Sequence, residues 1–193
     1  AKESPIVMYA HDIRNGQMPD FQKAKSGELS EFYFIENNRP ETVAETILEL
    51  CSKRIPKAFP HIGEIQVLSP MHRGEAGTIN LNQQLQTALN PSKGGIKSGS
   101  SRYKTGDKVM HLKNNYEKDV FNGDIGTVHE VNSSDGSLII DYDGRLVEYE
   151  TPELDELSLA YAISVHKSQG SEYTAVVIAL TTAHAPLLQR NLL

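Results

Sequence analysis

The sequence predicts an α/β protein with a largely parallel sheet, interrupted by a small antiparallel β-barrel. Three observations predict it. Helices and strands alternate up to about residue 90, short strands punctuated by Asp-Gly turns follow, and apolar strands resume at SLAYAI. Strand–helix alternation builds parallel sheets, because a crossover helix carries the chain back to start the next strand in the same direction. An Asp-Gly pair between alternating strands instead marks an antiparallel hairpin.

Each element has a local reason. In SPIVMYAHDIRNGQMPD the apolar residues Ile6, Tyr9, Ala10 and Ile13 recur at helical spacing, and Gly16 and Pro19 close the segment. EFYFI reads as a short strand. RPETVAETILELCSKRIP reads as a helix: Pro40 suits the first turn, Glu41 suits the dipole, and Val43, Ile47, Leu50 and Cys51 share a face. Pro56 is expected to end it. EIQVLSP is a strand, HRGEAGT a glycine-containing turn, and INLNQQLQTALNP a helix with Leu81, Leu85, Ala88 and Leu89 inward. PSKGGIKSGSS reads as a polar, glycine-rich linker. GDKVMHL, IGTVHEV, SLIIDY and RLVEYE then form the insert, with SSDG and YDGR as turns. The expected division is residues 1–100 with 153–193 as the parent domain and 101–152 as the insert.

Composition narrows the possibilities. The 193 residues, 38% hydrophobic and 23% charged, suit one globular domain carrying a smaller inserted one. No apolar stretch approaches a membrane span, no signal peptide opens the chain, and a reducing, cytoplasmic setting is expected. The single cysteine, Cys51, excludes an intrachain disulfide and reads as a small core residue. Seven histidines without ligand spacing predict no metal site. A net charge of −6 argues against bulk attraction to nucleic acid, yet residues 93–118 hold seven Lys or Arg against two acids. That segment is either a solvated loop or a track for phosphates.

Ligands of parallel sheets collect at the carboxyl ends of strands, and two such ends are unusual here. In LSPMHRGEAGT, Gly74 and Gly77 let the backbone approach an anion, a helix start attracts it, and Arg73 can fork onto phosphate oxygens. In SVHKSQGSEY, Ser164, His166, Lys167, Ser168 and Gln169 offer donors to phosphates or bases, and Glu172 offers an acceptor. GGIKSGSS is a decoy for a nucleotide-binding P-loop. Ile96 stands where the motif needs its second glycine, and Pro91 where it needs its first.

VLSPMHRGEAGTINLNQQLQ, GDKVMHLKNNYEKDVFNGDIGTV and LAYAISVHKSQGSEYTAVVI occur in that order, after AHDIRNGQMPD. Together they resemble the carboxyl-terminal half of the RecD-like branch of superfamily 1 DNA helicases, typified by the exodeoxyribonuclease V alpha subunit. The resemblance implies a second RecA-like motor domain, of the P-loop-NTPase type but without its own P-loop, carrying a small barrel of Src-homology-three type. It implies that Arg73 reaches the terminal phosphate of ATP, that Ser164, His166 and Lys167 touch single-stranded DNA, and that Gln169, Gly170 and Glu172 link DNA to nucleotide. A threonine is more usual at the position of Ser164. Lys108, Lys113 and the Asn114–Tyr116 region would face DNA from the barrel. It further implies a parent using ATP and Mg2+, moving 5′ to 3′, acting in repair or recombination, and partnered by single-stranded DNA, a first motor domain and nuclease-complex subunits. QRNLL resembles the lead-in to the sixth motif. The chain alone is expected not to hydrolyse ATP. NGDIGTV also resembles the turn of ribosome-associated KOW barrels, which would make the chain a non-enzymatic RNA-binding module. That alternative leaves LSPMHRG and VHKSQGSEY without a purpose.

Overall fold

The computed structural model describes residues 4–21, 29–37 and 39–181. The QRNLL motif lies outside them. Helix α1 (Pro5–Arg14) carries proline in its first turn and ends at Asn15, followed by Gly16 at φ 75°. Its Tyr9 ring meets Phe21 and Phe32 edge-on, and Phe21 stacks on Phe32 and Phe34. EFYFI is therefore not a strand. It has no backbone partner among the described residues, and its aromatic rings find ring partners instead.

The next helical segment opens with a 3-10 turn (Pro40–Thr42) and continues as α2 (Val43–Glu49), a π-helical stretch (Leu50–Arg54) and α3 (Ile55–Ala58). Pro56 does not end the helix. The widened turn, in which the Ile55 N–H donates to the Leu50 carbonyl, brings Pro56 in as a first-turn residue, where no N–H is needed. The buried stripe is Ala44, Ile47 and Cys51, with Val43 and Leu48 at its rim. Burial pushes the Cys51 thiol up to about 11, as befits an inert core residue.

Strands follow in chain order: β1 (Ile65–Ser69), then after α4 (Thr78–Leu89) come β2 (Ile96–Ser98), β3 (Ser101–Tyr103), β4 (Lys108–His111), β5 (Ile125–Asn132), β6 (Ser137–Tyr142), β7 (Arg145–Tyr149), β8 (Leu157–Leu159), β9 (Ala162–Ser164) and β10 (Ala175–Ile178). The parallel sheet is β10-β1-β9. Its core joins Val67, Leu81, Leu85, Ala162 and Ala179 to the stripe of the π-interrupted helix.

Helix α4 turns Leu81 and Leu85 inward, but Ala88 and Leu89 are exposed while Gln86 and Asn90 are buried. Beyond Leu85 the helix meets the β3–β4 turn rather than the parallel sheet. There the fully buried Asp107 carboxylate demands donors, which Gln86 and Asn90 supply at 2.5 and 2.7 Å.

The predicted linker is partly ordered, since β2 and β3 pair as a hairpin. The larger antiparallel sheet has the order β7-β6-β5-β4-β8, and its edge strands β7 and β8 are not paired with each other. YDGR forms the expected tight turn, with Asp143 and Gly144 both at positive φ (53° and 92°). Gly126 in β5 is required, because a Cβ there would lie 2.7 Å from the Asp141 carbonyl oxygen.

SLAYAI is not one strand. Leu157–Leu159 pairs antiparallel with β4, and Ala162–Ser164 pairs parallel with β1. At the seam between them, the Gln66 side chain donates to the carbonyls of Ala160 and Tyr161. An apolar run reports burial and not the partner that provides it, so one run serves two sheets. Among the described residues no helix is long and apolar enough to cross a membrane.

Candidate nucleic-acid interface

Both unusual strand ends lie at one edge of the parallel sheet, where Ser69 and Ser164 face each other across the β1–β9 pairing. After β1 the Ser69 hydroxyl donates to the Ala76 carbonyl at 2.6 Å, closing the turn. Gly74 adopts φ 92°, which favours glycine, and Gly77 has no room for a side chain, because a Cβ would sit 2.5 Å from the Arg73 carbonyl. Gly77 thus lets the turn close tightly on itself, while the space beside Gly74 is open. The first amides of α4 are taken as well: Thr78 donates to Met71 and Ile79 to His72. The turn presents His72, Arg73 and Glu75 outward, all exposed.

After β9, Ser164 is buried and caps the 3-10 turn Val165–Ser168, its hydroxyl accepting the Lys167 amide at 3.3 Å. Ser164, which the resemblance assigns to DNA contact, is thus largely covered by its own turn. The Ser168 hydroxyl closes onto the Val165 carbonyl, and Gly170 turns the chain at φ 82°. His166, Gln169, Gly170 and Glu172 are exposed. The turn thus spends its two serines on its own shape and leaves His166 facing out.

Lys108 corrects the sequence reading most sharply. It is 8% exposed, with its ammonium 2.5 Å from Glu64 and 2.6 Å from the side-chain oxygen of Gln66, and 5.8 Å from the centre of the Tyr173 ring. Burial lowers its pKa, while Glu64 pulls it back up. Strand β4 is buried on both faces, against the antiparallel core through Val109 and against the parallel layer through Met110, so a lysine at its start faces the seam. Lys113 is exposed, its ion-pair distances to Asp155 and Glu156 both 3.8 Å.

Lys167 reaches across the seam. Its ammonium donates to the Asn122 side chain at 2.9 Å, and the Asn122 amide donates to the Asn114 side chain at 2.9 Å. The structure thus brings Lys167 and Asn114 to one place through Asn122, a residue that nothing in the sequence singles out. Tyr116 and Phe121 stand beside this link, 78% and 40% exposed. Among the described residues no group of three or more His, Cys, Asp or Glu is placed to hold a metal ion.

Comparisons with known proteins place the chain among relatives. Residues 81–142 match the ATP-dependent RecD-like DNA helicase SH3 domain, and residues 159–193 match the UvrD-like helicase C-terminal domain. The ATP-dependent RecD2 DNA helicase of Deinococcus radiodurans is 35% identical over 192 residues, which is 100% of this chain and 25% of that protein. The RecBCD enzyme subunit RecD of Mycolicibacterium smegmatis is 30% identical over 136 residues, covering 70% of this chain and 24% of that protein. The chain spans about a quarter of the length of these curated relatives. A Pif1 helicase from Bacteroides, solved in complex with ADP-AlF3 and single-stranded DNA, shares the fold at a TM-score of 0.56 and 18% identity, over 94% of this chain and 44% of that one. Two helicase domain matches in chain order, together with whole-length kinship to a RecD2 helicase, show that the chain belongs to the RecD-like branch of the superfamily 1 DNA helicases and carries carboxyl-terminal sequence of that family.

Proposed function

We propose that this chain is the second motor module of an ATP-dependent DNA helicase that moves 5′ to 3′ along single-stranded DNA. The observation that carries the reading is the adjacency of β1 and β9, which delivers the Arg73 turn and the His166 turn to the same edge of one sheet. An arginine beside a strand-gripping turn suits a device in which nucleotide state and DNA grip change together. Arg73 stands exposed on the turn, so its guanidinium can meet the γ-phosphate of ATP held by a partner motor domain. His166 and Lys167 contact the DNA, and the exposed Gln169, Gly170 and Glu172 carry the coupling towards the nucleotide. Mg2+ and the phosphate cradle belong to that partner domain.

Residues 1–100 with 153–193 form the motor layer in this reading, and 101–152 form the insert, a small barrel of Src-homology-three type. Strand β8 is the segment of the motor layer that pairs into the insert's sheet. Assembly with nuclease subunits is the partnership that kinship to a RecBCD subunit supports. The KOW-type alternative gains nothing from the Arg73 and His166 turns, which it does not use.

Arg73→Ala in the full-length helicase tests the reading. An arginine supplied across a cleft is worth roughly 10³ to 10⁵ in rate, so kcat should collapse while single-strand affinity persists. Near-normal turnover by that variant, or sustained ATP hydrolysis by the purified 193-residue chain alone, overturns the proposal.

A further inference from the structure

Between β4 and β5 the chain makes a miniature hairpin. Asn115 and Val120 exchange both backbone hydrogen bonds, at 2.7 and 3.0 Å. The Arg145 guanidinium donates to the carbonyls of Lys118 and Asp119 at 2.8 and 2.7 Å, and the Asn115 side chain accepts the Lys118 amide. At the base of the hairpin, the Asp124 carboxylate accepts the Phe121 amide, Asn114 accepts the Asn122 amide, and Lys167 donates to Asn122. A short exposed hairpin is thus held at its tip, its base and its junction with the motor layer.

What it presents is apolar. Tyr116 and Phe121 pack edge-to-face, ring centroids 5.9 Å apart and planes at 78°, with Tyr116 78% exposed. A T-shaped pair leaves ring faces open. The hairpin has no net positive charge, because it carries Lys118 with Glu117 and Asp119, and Lys118 is itself paired with Glu153. A rigid, aromatic surface without net positive charge has little to offer phosphates but suits the flat face of a base. It also sits beside a turn whose exposed His166 and tethered Lys167 are suited to the backbone of the same strand.

We infer that Tyr116 and Phe121 form a base-stacking platform for single-stranded nucleic acid, held in register with the His166 turn by the Lys167–Asn122–Asn114 link. The inference rests on the single-strand reading above and adds a base contact to its backbone contacts. Rigidity matters here, because ordering a flexible loop on binding would offset much of the stacking gain.

The test compares the 193-residue chain binding to oligothymidylate of about a dozen nucleotides with binding to an abasic strand of equal length. The wild type should prefer the strand with bases by about tenfold, in line with stacking on alanine-sensitive aromatics. Tyr116→Leu with Phe121→Leu should abolish that preference and leave the salt dependence unchanged, while Tyr116→Phe retains it. An unchanged far-ultraviolet spectrum and melting temperature confirm that the double variant is folded. Equal wild-type affinity for both strands, or a preference that survives the double substitution, overturns the platform and leaves the backbone contacts standing. Failure of the wild type to bind either strand overturns the single-strand reading together with the platform.

Discussion

Lys108 and Lys113 belong to one basic segment, yet their surroundings give them opposite work. Lys113 is 57% exposed, whereas Lys108 sits in the seam between the sheets with Glu64 and Gln66. Nothing in a count of charges separates them, because exposure depends on which strand lies over each side chain. Lys108→Met should therefore act on stability. It leaves the buried Gln66 oxygen without its donor, at a cost of about 1–3 kcal/mol, while the half-open Glu64 returns to water. Single-strand binding by this variant should keep its salt slope. In Lys113→Ala the slope should shrink by about 0.7 on the log–log scale, without loss of stability. Chemical unfolding and titrations at several salt concentrations measure both. A flattened slope with unchanged stability in Lys108→Met would reverse the assignment.

At the scale of the element, the turn entering α4 shows how local geometry positions Arg73, the proposed phosphate contact. Gly77 has an ordinary φ of −78°, so any residue could adopt its backbone; space alone forbids a side chain. Gly77→Ala would push a methyl group into the Arg73 backbone and should cost about 1–3 kcal/mol, as overpacking does in a tight site. Because the clash falls on Arg73 itself, ATP turnover in the full-length helicase should drop even where the variant remains folded. Thermal unfolding read beside steady-state turnover checks this, and an alanine variant with unchanged melting temperature would mean that the turn relaxes freely. Pro56 and SLAYAI teach the complementary lesson. A helix can absorb a proline through one widened turn, and an apolar run can divide between two sheets, so element boundaries answer to neighbours as well as to residue type.

For the molecule as a whole, the joint between its two layers is polar as well as apolar. Asp107 is fully buried and accepts from the side chains of Gln86, Asn90 and Tyr161 and from the Lys104 amide. These donors come from α4 and its C-cap, from the turn entering β4 and from the link between β8 and β9, so one carboxylate ties the parallel layer to the antiparallel sheet. Asp107→Ala would strand all of them. The expected loss is about 3–5 kcal/mol, the range for breaking a buried charged network. The insert and the parallel layer should then unfold in separable steps in urea. A single cooperative transition displaced by less than about 1 kcal/mol would show that apolar packing alone holds the joint.

Much of this protein is written locally. Helical spacing at Ile47 and Cys51, the strand EIQVLSP and the positive-φ pair Asp143-Gly144 all announce themselves within a few residues, because periodicity and turn chemistry act over that range. The order of the motif-bearing segments is likewise legible, and with it the family. Tertiary structure alone decided which side chains those elements turn towards solvent. It buried Lys108 and Asp107, exposed Leu89, spent Ser164 on a cap, and joined Lys167 to Asn122 across 45 residues of sequence. Such outcomes depend on which distant strand arrives as a neighbour, and the free energy of a charged or amide group is set by that neighbour and by the water it displaces.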